Sequence, residues 1–220
     1  VYLALAYALL PAIWEGYERQ KAWRDKADRP GVTIAGDGHP GDPVNIGLVG
    51  SEDELRTIMQ AAKWFDADPL SIRSDFDIGA DTILKRTYEN APVSNLYLFG
   101  RREDLAFEQP ATDNPRHRHH VRFWRESPQD GVKRVTWLGS ASFDDQVGIS
   151  HTTGQVTHHI AADVDTERNY LAECLRSTKM LSSESSIEGF HDSLRGRNGG
   201  GDLWHTDGDL WLAEIKQSLP

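Results

Sequence analysis

The sequence predicts an α+β fold, with a mainly antiparallel sheet and two helices on one face of that sheet. Short runs of strand-forming residues fill the middle and the end of the chain, and two segments with helical periodicity separate them. The resulting order is strand, helix, several strands, helix and strands, which is typical of helices that cover one face of an antiparallel sheet. Among specific arrangements, this order favours a ferredoxin-like core with extra hairpins.

The first strand and the first helix follow one another directly. The apolar run PVNIGLVG is bounded by turn residues and indicates a buried strand. The next residues, SEDELRTIMQAAKW, predict a helix from Ser51 to Trp64, because Ser51 and Glu54 have the spacing of a capping box. This junction contains neither GxGxxG nor a GKS or GKT triplet, so the sequence signals no dinucleotide site and no P-loop.

The second helix is predicted in the segment DVDTERNYLAECLRSTK. Asp163 and Asp165 stand where helix-capping residues are expected, and Leu171 and Leu175 lie on one apolar stripe. Later in the chain, Asp207 and Gly208 separate two Leu-Trp pairs, which is a strong signal for a hairpin turn.

The chain is expected to contain three parts. Residues 1–24 form an apolar N-terminal segment, residues 25–42 a linker rich in Gly, Pro and Asp, and residues 43–216 a single α+β domain. The uncharged run from Val1 to Trp14 is shorter than the about 20 residues that span a bilayer. Two interpretations of this run remain: an interfacial helix, or the end of a truncated membrane span.

Composition limits the classes of partner. A net charge of −10 argues against nucleic acid, because binding to the phosphate backbone requires clustered cations. The single cysteine, Cys174, excludes an internal disulfide. No spacing of His, Cys, Asp or Glu is diagnostic of a metal site, so the sequence leaves the metal and any cofactor unknown.

A strand pair with a polar face is predicted around the basic stretch PRHRHHVRFWR. We expect His119 to Arg125 to pair antiparallel with Arg134 to Phe143. Alternation along the first strand then points Val121 and Phe123 into the core, and it points His120, Arg122 and Trp124 to the opposite face. In the second strand, alternation assigns Thr136, Ser140 and Ser142 to the polar face.

The segment QVTHHI adds a further histidine to the predicted polar face. Alternation with Val156 and Ile160 predicts that His158 is buried and that His159 faces the polar side. We therefore expect His120, Arg122 and His159 to converge as catalytic groups, because imidazole moves protons near neutral pH and guanidinium clamps carboxylate or phosphate. The alternative is a solvated face on which these residues have no function.

The glycine-rich segment RGRNGGGDLW is a second candidate site. Arg195 and Arg197 supply positive charge, and the backbone of Asn198, Gly199 and Gly200 can present N–H groups as an anion-binding nest. The alternative is a flexible loop before the last strands.

Several long stretches of the chain resemble the C-terminal domain of the LssY family: PVNIGLVGSEDEL, APVSNLYLFGRREDLAFEQP, RHRHHVRFW, WLGSASFDDQVGISHTTGQVTHHI and GRNGGGDLWHTDG. The resemblance runs from Trp14 to Trp211. It implies a bacterial domain that is often attached to membrane domains of the DedA-like or lipid-phosphatase type, and hence membrane association on an unassigned side. It carries over no catalytic residues, and the lipid-phosphatase signature PSGH is missing from this chain.

Two function hypotheses from different classes follow. The first is a hydrolase or transferase that acts on an anionic substrate such as a lipid-linked phosphate, with Arg122 as the anion clamp. His120 and His159 would then serve either as acid and base or as metal ligands. The second is a non-catalytic accessory domain that binds a headgroup or a protein partner and regulates an attached membrane protein. An anionic small molecule or a lipid headgroup is the partner expected under the first hypothesis and one of the partners expected under the second.

Overall fold

The computed structural model describes residues 29–36, 38–67, 96–111, 117–126, 134–149 and 156–217, with the backbone alone at 146–149 and 156–158. The predicted segment 1–24 lies outside these residues. Two helices are described, α1 (Glu52–Ala61) and α2 (Val164–Ser177). The strands are β1 (Val32–Ala35), β2 (Pro40–Pro43), β3 (Ile46–Gly50), β4 (Phe65–Asp66), β5 (Leu96–Leu98), β6 (Arg101–Arg102), β7 (Leu105–Pro110), β8 (Arg118–Arg125), β9 (Val135–Ile149), β10 (Val156–Ile160), β11 (Leu181–Ile187), β12 (Arg195–Arg197), β13 (Leu203–His205) and β14 (Leu210–Ile215).

An eight-stranded sheet forms the centre of the domain. Seven strands follow the order β11-β14-β3-β9-β8-β7-β4, and β10 pairs with β9. The neighbours pair antiparallel except β14 and β3, which are parallel, so the sheet is mixed. The predicted α+β class with a mainly antiparallel sheet is confirmed at this level, whereas the ferredoxin-like core is not confirmed.

The first helix begins and ends as the local sequence directs. Ser51 caps α1: its side chain accepts from the Glu54 backbone N–H, and the Glu54 carboxylate accepts from the Ser51 N–H at 2.8 Å. This reciprocal pairing satisfies two of the donors that a helix start leaves open. Leu55 and Ile58 on this helix are fully buried against the sheet. The helix predicted from Ser51 is confirmed, and it ends three residues earlier than Trp64.

Both helices pack on the same face of the central sheet. Leu55 of α1 and Leu171 of α2 belong to one apolar core, which also contains Val121 and Phe123 of β8. Asp163 caps α2, since its carboxylate accepts from the backbone N–H groups of the first turn. The prediction of two helices on one face is therefore confirmed.

A second layer of strands covers part of the opposite face. β1, β2, β5 and β6 form a four-stranded sheet. β1 and all of β2 except Pro43 lie within the segment interpreted as a linker. Ala35 and Leu98 from this small sheet pack with Trp124 and Leu138 of the central sheet in a second apolar core. The face predicted to be polar is thus buried at Trp124, which is 0% exposed.

The predicted hairpin at Asp207 and Gly208 is wrong. β13, before this dipeptide, pairs with β12, whereas β14, after it, pairs with β11 and β3. The Asp207 carboxylate instead accepts two hydrogen bonds of 2.8 Å from the Arg168 guanidinium on α2. The Arg168 contact holds the pKa of Asp207 below its usual range.

A buried asparagine fills the gap between β3 and β10 along one edge of β9. β3 pairs with residues 135–139 of β9 and β10 with residues 144–149. Between these stretches, the Asn45 side chain accepts from the Ala141 N–H and donates to the Ala141 carbonyl, both at 2.9 Å. The Asn45 side chain thereby makes the two hydrogen bonds that a neighbouring strand would make to Ala141. Asn45 is 0% exposed. In the described part of the chain, no helix is long and apolar enough to cross a membrane.

Candidate functional site

The register of β8 and β9 places six polar side chains on one face of the central sheet. The predicted antiparallel pairing of these strands is confirmed, with His119 opposite Phe143 and Arg125 opposite Trp137. Directly opposed residues of an antiparallel pair share a face. The polar pairs are His120 with Ser142, Arg122 with Ser140, and Arg118 with Asp144.

Ser142, His120 and Asp144 lie in a row at hydrogen-bonding distances. The Ser142 Oγ is 2.8 Å from Nε2 of His120, and Nδ1 of the same imidazole is 3.2 Å from Oδ1 of Asp144. Ser142 is 2% exposed and Asp144 1%, while the His120 side chain retains 12% exposure. A serine, an imidazole and a carboxylate in this order form the arrangement of a Ser–His–Asp triad, which is recognised by geometry and not by sequence position.

Arg118 holds the carboxylate of the triad in place. Its Nε donates to the second oxygen of Asp144 at 2.8 Å, and its Nη1 lies 3.4 Å from Glu108 on β7. The two oxygens of Asp144 therefore face different partners, one the imidazole and one the guanidinium. A carboxylate fixed in this way stands beside Nδ1 of His120, while Nε2 of the same ring contacts Ser142.

Arg122 is buried beside the triad, and its guanidinium makes no hydrogen bond within the described part of the chain. The residue is 7% exposed, and the contact that its guanidinium makes among the described residues is a 4.0 Å approach to Asp42. That distance is too long for a hydrogen bond. The opposed Ser140 is 2% exposed, and its hydroxyl has no hydrogen-bond partner in the part of the chain described.

His159 lies near the same face but contacts other residues. Its Nδ1 is 2.5 Å from Asp202, whose other carboxylate oxygen accepts from the Ile160 backbone N–H at 3.2 Å. His159 is opposite Gln146 and His120 is opposite Ser142, which separates the two by four positions along β9, or about 13 Å. The structure thus brings His120 and Arg122 together, and the convergence of His159 with them stays a prediction.

The alternation predicted for β10 is interrupted at His159. The register with β9 shifts between His159 and Ile160, as at a β-bulge. The His159 side chain is 21% exposed, while the side chain of His158 lies outside the described residues.

The glycine-rich candidate site forms the turn between β12 and β13. Arg195 and Arg197 are exposed on β12, and Arg197 donates to the Gly201 carbonyl at 2.9 Å. The Asn198 amide donates to Asp42 at 3.0 Å and to Asp202 at 3.3 Å. Gly199 and Gly200 follow in the turn. Anion binding at Arg195, Arg197, Asn198, Gly199 and Gly200 stays a prediction, and an anion there would lie near two carboxylates.

Sequence reasoning placed Ser140 and Ser142 on the polar face but did not assign them to the site, and it missed Asp144. The signal was present: Ser140, Ser142 and Asp144 alternate along one strand, as His120 and Arg122 do along its partner. Asp42 and Asp202 carried no such signal, because they reach the site from distant parts of the chain. Among the described residues, no group of three or more His, Cys, Asp or Glu side chains could hold a metal ion.

The fold and this face define an α+β domain in which a mixed sheet carries a Ser–His–Asp arrangement on two adjacent strands. A family model described as LssY C-terminus matches residues 26–210, and the chain belongs to this family. The resemblance found in the sequence is therefore confirmed. No curated protein and no solved structure matches the chain.

Proposed function

We propose that the domain is a hydrolase or transferase that uses Ser142 as its nucleophile and acts on an ester of an anionic compound. The observation that carries the proposal is the 2.8 Å contact between the Ser142 hydroxyl and His120, with Asp144 3.2 Å from the other ring nitrogen. Serine is a weak nucleophile unless an adjacent base removes its proton as it attacks. His120 is positioned for that role.

The residues present account for both halves of an acyl transfer. The Ser142 Oγ attacks the ester carbonyl while His120 Nε2 takes its proton, and the bond to the alcohol breaks as His120 returns that proton to the leaving oxygen. Water or an acceptor alcohol then attacks the acyl-serine, with His120 again as the base, and Ser142 is regenerated. Asp144 keeps the imidazole oriented and offsets the positive charge that forms on it.

The anionic character of the substrate is supported by Arg122, which lies on the same face as His120 and two residues after it on β8. Arg118, two residues before His120, already pairs with Asp144 and Glu108. A lipid-linked phosphate as the anionic part, and membrane association of the protein, rest on the family resemblance. An acid or base role for His159 is a separate proposal, because its contact is with Asp202.

The test of this proposal is covalent labelling of the nucleophile. A fluorophosphonate probe should add one mass increment to the wild-type chain, and peptide mapping should locate it at Ser142. Ser142→Ala should abolish the label, and His120→Gln should slow it by about a hundredfold or more, since positioned general bases contribute 10²–10⁴-fold. Ser182→Ala, at an exposed serine on β11, is the matched control and should keep the label.

A second candidate function is favoured by the burial of the nucleophile. Ser142 is 2% exposed, so a bulky ester reaches it only if the covering residues move. A non-catalytic accessory domain needs no such access and would bind an anion at the cationic side chains alone. Absence of label on a folded wild-type protein, together with binding of inorganic phosphate, would favour this second function over the first.

A further inference from the structure

The guanidinium of Arg122 is buried and has few partners among the described residues. Arg122 is 7% exposed, and its contact with Asp42 is 4.0 Å long. One oxygen of Asp42 already accepts from the Asn198 amide at 3.0 Å. A buried charge is costly unless it is paired and hydrogen-bonded. The guanidinium of Arg122, with this one long contact among the described residues, can therefore take a further anionic partner.

The residue opposite Arg122 is also incompletely paired. Ser140 is 2% exposed, and its Oγ is buried without a hydrogen-bond partner in the described residues. Buried hydroxyl groups are almost always hydrogen-bonded in native proteins. Arg122 and Ser140 form one cross-strand pair, so the two sets of unused donors lie on the same face and next to each other.

The strand geometry sets the distance from these donors to the nucleophile. Ser140 and Ser142 are two residues apart on β9, and Arg122 and His120 are two residues apart on β8. Two residues of a strand rise about 7 Å, and both members of each pair point to the same side. The unused donors therefore lie about 7 Å from the reacting hydroxyl, in the plane of the same sheet face.

We propose that Arg122 and Ser140 form the binding site for a carboxylate or phosphate group of the substrate, spaced about 7 Å from the carbonyl that Ser142 attacks. This inference rests on the proposed function and deepens it by naming the substrate class. The substrate is an ester in which about four to six bonds separate the carbonyl from an anionic group. The guanidinium gives two parallel hydrogen bonds to that group, and the Ser140 hydroxyl gives a third.

Pairs of synthetic esters can test two properties of the substrate: its negative charge, and the distance from that charge to the ester carbonyl. The 4-nitrophenyl monoesters of succinate, glutarate and adipate move a carboxylate stepwise away from the carbonyl, and each is compared with the uncharged ester of equal chain length. We expect kcat/KM of the wild-type protein to favour the charged member by about tenfold or more, since hydrogen bonds to charged groups are worth that factor. The preference should be largest for glutarate or adipate. A 1-acylglycerol 3-phosphate, compared with the monoacylglycerol that lacks the phosphate, makes the same test for a lipid phosphate.

Variants of the protein then identify the residues that cause the preference for charged esters. Arg122→Met and Ser140→Ala should each bring the ratio of charged to uncharged kcat/KM close to one. Arg125→Met, at the exposed end of β8, is the control and should keep the wild-type preference. Circular dichroism on each variant shows whether it is folded. A preference that survives both substitutions, or a wild-type protein without preference, overturns the inference.

Failure of catalysis can be separated from failure of the anion site. If Ser142 takes no label and no ester is hydrolysed, the proposed function fails. Equilibrium dialysis with glutarate and with inorganic phosphate then decides the anion site alone. Binding that is lost in Arg122→Met supports the site in a non-catalytic domain, and no binding to the wild-type protein overturns it.

Discussion

His119 and His120 are neighbours in the sequence and lie in different surroundings, because successive side chains of a strand point to opposite faces. His120 contacts Ser142 and Asp144. His119 faces the helices, where its ring stacks on Tyr170 at 4.0 Å and its Nδ1 lies 2.8 Å from Glu167. Burial raises the pKa of Glu167, and the hydrogen bond with His119 opposes that rise. The two imidazoles therefore serve separate networks.

A third histidine makes stability depend on pH. The His191 ring donates from Nε2 to the Val44 carbonyl at 2.8 Å. Burial lowers the pKa of His191 below the ordinary value of a histidine, and the nearby Arg168 adds to the lowering. The hydrogen bond to Val44 and the nearby Asp165 and Asp207 oppose this lowering of the pKa. Between the lowered pKa and about 6.5 the unfolded chain binds more protons, so the free energy of unfolding falls as pH decreases.

We predict that the melting temperature falls as pH decreases from 7.5 to 5.5, and that His191→Gln reduces this slope. At pH 7.5 the variant should lose about 1 kcal/mol, because the hydrogen bond to Val44 is removed. Differential scanning calorimetry at each pH measures both effects. The control is His205→Gln, at an exposed position of β13. An unchanged slope in His191→Gln would show that other groups cause the pH dependence.

At the scale of elements, the candidate site depends on the register of two strands. Ser142 and Asp144 lie on β9, and their partners His120 and Arg118 lie on β8. A slip of one residue would turn every side chain of a strand to the other face, so the pairing must be held firmly. The packing of Phe123 against Gly139, which lies opposite it on β9, helps to hold the register of β8 and β9.

We predict that Gly139→Ala is destabilising by about 1–3 kcal/mol, the usual cost of overpacking. A Cβ at Gly139 would lie 2.7 Å from Cε1 of the Phe123 ring, and this ring is fully buried and unable to move away. Urea unfolding measures the cost. In the matched control Gly200→Ala, the nearest atom to the new Cβ is Asn198 Oδ1 at 3.3 Å, and we expect a change of less than about 0.5 kcal/mol. Equal effects of the two substitutions would contradict this packing argument.

At the scale of the whole molecule, the central sheet lies between two apolar cores. The helix side contains Leu171 and Phe123, and the side of the small sheet contains Trp124 and Leu138. β8 and β9 contribute to both cores, because Phe123 and Trp124 are consecutive residues with opposite directions. We therefore expect the two layers to unfold together.

This coupling predicts that Leu171→Ala and Leu138→Ala lower the midpoint of one shared unfolding transition. Each replaces a leucine that is 0% exposed and should cost about 2–5 kcal/mol, the usual range for a buried leucine. Far-ultraviolet circular dichroism and tryptophan fluorescence should give coincident curves. Leu203→Ala, at a residue 61% exposed, should change stability by less than about 0.5 kcal/mol. A separate early transition in Leu138→Ala would show that the small sheet unfolds by itself.

Much of the fold is local enough to be predicted from the sequence. The capping box at Ser51 depends on residues three apart, and the β8–β9 pairing joins segments that are close in the chain. Alternation correctly placed Val121 and Phe123 in the core and His120 and Arg122 on the opposite face. These predictions require only the periodicity with which side chains alternate along a strand or recur along a helix.

Only the tertiary structure shows which residues cover the face of the central sheet that carries His120 and Arg122. Asp42 approaches Arg122 from a strand about 80 residues earlier in the chain, and that strand belongs to the segment interpreted as a linker. Asp207 binds Arg168 instead of forming a hairpin turn, since β14 pairs in parallel with the distant β3. Period-2 alternation states the direction of a side chain but not its neighbours, because long-range strand order and the covering layer leave no periodic signal in the sequence. For the same reason, the sequence by itself determined which side chains share the polar face, and only the folded chain brought Ser142, His120 and Asp144 within hydrogen-bonding distance.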